Sequence, residues 1–320
     1  MLRPLGQTNL RISPLGMGCW PITGITSVNV NESDSLATLK SAFDSGINFF
    51  DTAYCYGFDG ESEQMIAHVL GSDRDKIVLA TKGGIHWEAG KQARCGRPET
   101  LRRECDESLQ RLKTDRIELY YLHAPDPNVP IAESAGAIGE LIQQGKVLSA
   151  GLSNASVEQL AAFHEACPLV VYQPHFNMLQ REIEDSQLPW CVEHGVSVIV
   201  YWPLMKGLLA GHLPRDYVFD PKDGRRKYPM FSGDEWQKNQ DFVDRLRELA
   251  IELDKPVSQI VLNWTIQRAG ITAALCGAKR PHQIQQNAEA MSWSLTADQI
   301  ARINAIIAVR GPIISKAAVT

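Results

Sequence analysis

Residues 117–173 contain the runs IELYYL (117–122), IAESAGAIGELIQQ (131–144), VLSAGL (147–152), SVEQLAAFHEA (156–166) and LVVYQ (169–173). The first, third and fifth are short and nearly all apolar, the pattern of strands covered on both faces. The second and fourth are longer and carry apolar residues at helical spacing. Gly145 sits where one helix should stop, and Ser156 with Gln159 fits a capping box at the start of the next. Strands joined through helices in this way predict a parallel sheet, because right-handed crossovers lay successive strands side by side.

The alternation continues in both directions. Further strands are predicted at Leu15–Gly18, Ile47–Phe50, Ile77–Thr81, Val196–Tyr201 and Ile271–Cys276, and further helices at Glu32–Ser45, Glu61–Leu70 and Pro98–Leu112. Gly46 marks another helix stop, and Thr296 with Gln299 another capping box. Eight β-then-α units without a linker between halves predict a (β/α)8 TIM barrel, one domain over residues 1–320. Two segments stand outside the repeat. LGQTNLRIS, residues 5–13, reads as a hairpin ahead of the first strand, and residues 205–235 form a long polar loop after strand seven. Such a loop beside a barrel's C-terminal rim is expected to be functional, as a cover for whatever binds there.

Composition narrows the function. At 320 residues, 44% hydrophobic and 22% charged, the chain can bury a large core, which excludes a disulfide-stapled miniprotein, a coiled coil or a disordered tail. Lys plus Arg number 32 against 37 Asp plus Glu, a net charge of -5, so no basic field points to nucleic acid. The seven cysteines are scattered without a C-x-x-C pair, which predicts reduced thiols and no metal site. The uncharged stretch 12–31 is interrupted by Pro14 and Pro21, so it is not a membrane span, and MLRPLGQTNL lacks an apolar signal core. A cytoplasmic location is the expectation.

Barrel active sites are assembled where strands finish. Strand two ends in Asp51, with Tyr56 following in DTAYCYG; strand three ends in Lys82, within ATKGG; strand four ends in His123, within YYLHAPDP. Taken singly, each has an ordinary structural role as a turn cap, a solvated cation or a core imidazole. Together they bring a carboxylate, an ammonium, an imidazole and a phenol to one rim. An ammonium beside a phenol favours the phenolate and makes the hydroxyl a better acid, which suits protonation of an oxygen as negative charge builds on it.

The motifs DTAxxYG, TK after strand three and LH after strand four, in that order, resemble those of the aldo-keto reductases, including bacterial members linked to sugars and stress. The resemblance covers essentially the whole chain. It implies NADPH-dependent reduction of an aldehyde or ketone, or the reverse reaction with NADP+. Tyr56 would be the general acid, Lys82 would lower its pKa, Asp51 would pair with Lys82, and His123 would orient the carbonyl. Two other readings remain on the residues: Lys82 as the nucleophile of a Schiff-base aldolase, or the chain as a non-catalytic NADPH-binding subunit. The oligomeric state is left open.

No Gly-x-Gly-x-x-Gly follows a strand, so a Rossmann-type site is not indicated. Ser153, Asn154 and Gln173, at the ends of strands five and six, read equally as turn residues or as groups able to grip a carboxamide. Tyr201, ending strand seven, reads as a core aromatic or a stacking ring. The resemblance favours the binding role for all four, and it matches Leu204, Lys206, Gly207 and Leu208 to a segment whose backbone approaches a pyrophosphate. In GAKRPHQIQQN, residues 277–287, Lys279 and Arg280 precede Pro281 at a helix start, where an anion gains from free N–H groups and the helix dipole. Gly277, Lys279, Arg280, Gln283 and Asn287 are therefore candidates for the adenosine end and its 2'-phosphate. Gln283 stands where the family often has Arg, which keeps NADH as the alternative cofactor. Trp20, Tyr54, Trp87 and Trp202 are the expected walls of a pocket for a small carbonyl or alcohol substrate.

Overall fold

The computed structural model describes residues 1–314; the last six positions of the expected 1–320 span lie outside them. The barrel strands are β1 (Leu15–Gly18), β2 (Phe49–Asp51), β3 (Val78–Gly83), β4 (Leu119–Leu122), β5 (Ala150–Ser153), β6 (Leu169–Gln173), β7 (Ser197–Val200) and β8 (Ile271–Cys276). All eight pair in parallel, β8 pairs β1, and the sheet closes into the expected (β/α)8 barrel. The helices are α1 (Glu32–Asp44), α2 (Glu61–Leu70), α3 (Pro98–Leu112), α4 (Ile131–Gln143), α5 (Val157–Ala166), α6 (Gln187–Glu193), α7 (Gly233–Leu253), α8 (Val257–Ile266), α9 (Pro281–Ala288) and α10 (Ala297–Arg310). The capping boxes at Ser156 and Thr296 both form.

The strand sequences sort by parity. Phe49, Val78, Ala80, Leu119, Tyr121, Val171, Ile199, Ala273 and Leu275 meet inside the barrel, while Phe50, Leu79, Tyr120, Leu122 and Tyr172 pack against the helices. Because side chains alternate along a strand, the next inward positions after Phe49, Ala80, Tyr121, Val171 and Ile199 are Asp51, Lys82, His123, Gln173 and Tyr201. The interior is thus apolar low in the barrel and polar at its C-terminal rim.

The N-terminal hairpin pairs Arg3–Pro4 with Arg11–Ile12, so its second strand lies within the expected 5–13 segment and its first just before it. Leu5 and Ile12 are fully buried in the interior cluster and close the lower end. A second hairpin, Ile85–Glu88 with Lys91–Arg94, was not foreseen; it follows β3 at the rim.

The expectation for residues 205–235 needs correction, since they are not a structureless loop. They hold three short 3-10 helices, Met205–Ala210, Gly224–Lys227 and Pro229–Phe231, before α7 begins at Gly233. Phe219, Phe231 and Trp236 pack edge-on, and the Arg225 guanidinium lies 5.0 Å from the Phe219 ring centre while its Nη2 donates to Asp223 at 2.7 Å. That small aromatic core gives the segment its fixed shape. Among the described residues, no helix is long and apolar enough to cross a membrane, and all seven cysteines are free.

Candidate active site

The floor of the rim is an ion pair. Asp51 and Lys82 are each only 1% exposed; Lys82 Nζ donates to Asp51 Oδ1 and, at 2.8 Å, to the Thr52 carbonyl. Gln173 Nε2 donates to the other carboxylate oxygen at 2.8 Å. Burial raises the Asp51 carboxyl above its ordinary value, and Lys82 and Gln173 pull it back. With its ammonium committed to a carboxylate and a carbonyl, Lys82 is poorly placed as a Schiff-base nucleophile, which requires a free amine.

Tyr56 lies above this pair. After β2 the chain turns tightly, with Tyr56 N–H donating to the Ala53 carbonyl at 2.9 Å, and the ring comes to rest 4.9 Å from Lys82 Nζ. Trp20 meets it edge-on at 5.0 Å and His123 at 5.9 Å. The expected acidification of the phenol is not the net balance here: burial pushes Tyr56 well above its ordinary value, and Asp51 adds to the rise. Burial is the larger cause, and the carboxylate bound to the ammonium opposes the field that Lys82 exerts on the ring. His123 is held well below its ordinary value, first by burial and then by Lys82 and Arg94, so its imidazole is neutral at physiological pH.

One side of the rim is an amide and hydroxyl chain. Ser153 Oγ donates to the Gln173 carbonyl at 2.8 Å, Asn154 Nδ2 to Ser153 Oγ at 2.9 Å and to the His123 carbonyl at 3.2 Å, and Tyr201 Oη to Asn154 Oδ1 at 2.6 Å. Asn154 holds φ at +59°, a strained setting for a residue with a Cβ, which turns its amide back over the rim. Next to Tyr201, Trp202, Met205, Lys206 and Gly207 also have positive φ, and Leu208 is buried behind them. The Lys206 ammonium sits 4.0 Å from the Trp202 ring centre and 4.6 Å from that of Tyr228; burial, with Arg225 nearby, lowers it to about 8. Leu204 packs against the main core.

At the start of α9, Gln283 Oε1 accepts from the backbone N–H groups of Lys279 and Arg280, at 2.9 and 3.2 Å. Gln283 therefore caps its own helix. Arg280 Nη1 pairs with Asp34 of α1 at 2.5 Å and Nη2 with the Asn29 carbonyl at 2.9 Å; Lys279 Nζ reaches the Val28 carbonyl at 3.2 Å. Both cations face the loop between β1 and α1, and Asn287 is buried on the same helix. Gly277 stands under Pro21, where an added Cβ would come within 2.6 Å of the proline ring.

Of the proposed pocket walls, the structure brings Trp20 and Trp87 to the neighbourhood of Tyr56 and puts Trp202 beside Tyr201. It does not bring Tyr54 there. Tyr54 Oη donates to Glu107 of α3 at 2.5 Å, and Arg111 lies 4.3 Å from its ring centre, so it faces the helical layer. Sequence reasoning missed Cys55, whose sulfur is 3.7 Å from His123 Nδ1, and the hairpin residues Trp87 and Gln92 as its partners. The only signal for Cys55 was its place next to Tyr56.

Comparison with known proteins agrees with this geometry. A model of the Aldo/keto reductase family matches residues 14–308. The chain is 34% identical over 306 residues to Aldo-keto reductase YhdN of Bacillus subtilis (strain 168), covering 95% of this chain and 92% of that protein. It is 31% identical to the NADH-specific methylglyoxal reductase of Escherichia coli (strain K12), covering 92% and 94%. Among solved structures, it is similar to the glycerol dehydrogenase AKR11B4 from Gluconobacter oxydans, with a TM-score of 0.90, 33% identity and coverage of 98% and 97%. The chain belongs to the aldo/keto reductase family.

Proposed function

We infer that this oxidoreductase reduces a small aldehyde or ketone, or runs the reverse, with a nicotinamide dinucleotide, NADP(H) in preference to NAD(H), and that Tyr56 is its general acid and base. The observation that carries the reading is the stack of Asp51, Lys82 and the Tyr56 ring at the rim, with a neutral His123 edge-on to the phenol. Residues 1–320 are read as one barrel domain acting in the cytoplasm.

When bound, the dinucleotide supplies the hydride. The donor set fits it: Ser153, Asn154 and Gln173 offer both donors and acceptors to a carboxamide, Tyr201 offers a ring face, and Lys206, Lys279 and Arg280 offer cations to phosphates. The chain's own residues do the proton work. Tyr56 keeps its proton far above neutral pH and gives it from Oη to the oxygen of the carbonyl as that oxygen gains charge. His123, uncharged, holds that oxygen by a hydrogen bond, and Asp51 keeps the Lys82 ammonium in place beneath the ring. The aromatic walls exclude water and select small carbonyls.

The test is a panel of aldehydes and ketones followed by NADPH or NADH absorbance, with Tyr56→Phe alongside. Turnover is expected to fall about 10²- to 10⁴-fold in the variant while cofactor affinity holds. Wild-type turnover in Tyr56→Phe would remove the phenol from the reaction.

A further inference from the structure

Cys55 lies in the turn between Asp51 and Tyr56 and is 1% exposed. Its surroundings are built from three directions. Its sulfur is 3.7 Å from His123 Nδ1. From the second hairpin, Gln92 Nε2 donates to the same sulfur at 3.7 Å, and Trp87 Nε1 donates to the Cys55 carbonyl at 2.9 Å. The hairpin therefore fixes both the backbone and the sulfur of this one residue.

We propose that Cys55 is a positioning residue that holds His123 as a single neutral tautomer, with hydrogen on Nε2, so that the imidazole presents a donor to the substrate oxygen. A neutral imidazole has one N–H and one bare nitrogen, and which is which follows from the partner each nitrogen has. Gln92, an amide donor, occupies a lone pair of the sulfur. Among the side-chain contacts of the sulfur in the described residues, His123 Nδ1 is then the acceptor for the thiol hydrogen. If Nδ1 carried the hydrogen instead, two N–H donors would converge on a sulfur whose own hydrogen had no acceptor. Burial supports this arrangement by pushing the Cys55 thiol up to about 12, so that the S–H is present at every physiological pH, while His123 stays uncharged. Nε2 has no partner among the described residues, which leaves it to the substrate. The inference rests on the role of His123 given under Proposed function.

Long-range ¹H–¹⁵N correlation spectra of protein labelled at histidine, with His123 assigned by its loss in His123→Gln, read the tautomer without turnover. The wild type is expected to show the Nε2–H pattern. Cys55→Ala removes the donor, and a mixture of tautomers is expected; Cys55→Ser keeps a donor, and the single pattern is expected to return. Gln92 is exposed on the hairpin, so Gln92→Leu leaves the core alone and is expected to raise the Nδ1–H fraction. A lost hydrogen bond of this kind should lower kcat/KM for carbonyl reduction roughly 3- to 10-fold in Cys55→Ala, with recovery in Cys55→Ser. An Nδ1–H pattern in the wild type, or one unchanged in both Cys55→Ala and Gln92→Leu, overturns the proposal. A tautomer that shifts with kcat/KM unchanged leaves the Cys55 contact standing and overturns the assignment of His123 to the carbonyl.

Discussion

Gln173 and Asp51 stand on β6 and β2, four strands apart on opposite sides of an eight-stranded ring, yet the glutamine amide reaches the carboxylate at 2.8 Å across the lumen. The contact closes the barrel just below its rim and fixes the second oxygen of the carboxylate that holds Lys82. Gln173→Leu leaves that buried oxygen without its donor. A loss of about 1–3 kcal/mol is expected in urea denaturation, and an unchanged midpoint would show that the bridge carries no weight.

The height of the Tyr56 pKa sets a direction. Because burial and Asp51 raise it above its ordinary value, the protonated form persists well into alkaline conditions. Carbonyl reduction, which needs that form, should have a kcat/KM flat across neutral pH. Alcohol oxidation, which needs the phenolate, should rise steadily as pH increases. Steady-state profiles in both directions check this, and a reductive limb that falls between about pH 6 and 8 would contradict it.

Lys206 gives a second pH signature. Its ammonium is lowered to about 8, and an anionic diphosphate against it would restore the charged form. Binding then takes up a proton, so dinucleotide affinity should be full below about pH 8 and weaken above it. Fluorescence titrations should show that loss in the wild type and little of it in Lys206→Met.

The proposed 2'-phosphate site at the α9 corner can be read out through coenzyme choice. In Lys279→Ala with Arg280→Ala, the ratio of kcat/KM for NADPH to that for NADH is expected to fall about tenfold or more, since two cations beside one phosphate are removed. An unchanged ratio would free these residues from the 2'-phosphate.

Gly151 explains how Tyr121 fits inside the barrel. A Cβ there would lie 2.3 Å from the tyrosine ring, which sits against the bare backbone of β5. Gly151→Ala should lower stability by about 1–3 kcal/mol by overpacking, read by denaturant titration.

The barrel was legible because both of its periods are local. Continuous apolar runs announced buried strands, and counting by two from Ala80 or Leu119 leads to Lys82 or His123. That count stops where a strand stops, which is why Tyr54 was misplaced: beyond Asp51 the chain turns, and Tyr54 N–H bonds the Lys82 carbonyl while its ring swings outward. The second hairpin was hidden by its turn. Ala89 and Gly90 both have positive φ, the setting of a tight two-residue hairpin, but alanine is not a residue that advertises it. The Arg280–Asp34 pairing is equally invisible in the sequence, because the two residues lie 246 positions apart. The net rise of the Tyr56 pKa is hidden for a similar reason, since burial, its largest cause, depends on packing that spacing does not carry.

Leu5 and Ile12 stopper the cylinder from below. Above them the lumen is filled by side chains such as Phe49, Leu119 and Tyr121, so two reactants can meet only at the upper rim, one laid over the other. Whichever lies deeper arrives first and leaves last, so the kinetics should follow a compulsory order, with the outgoing partner of the deeper reactant competing only against that reactant.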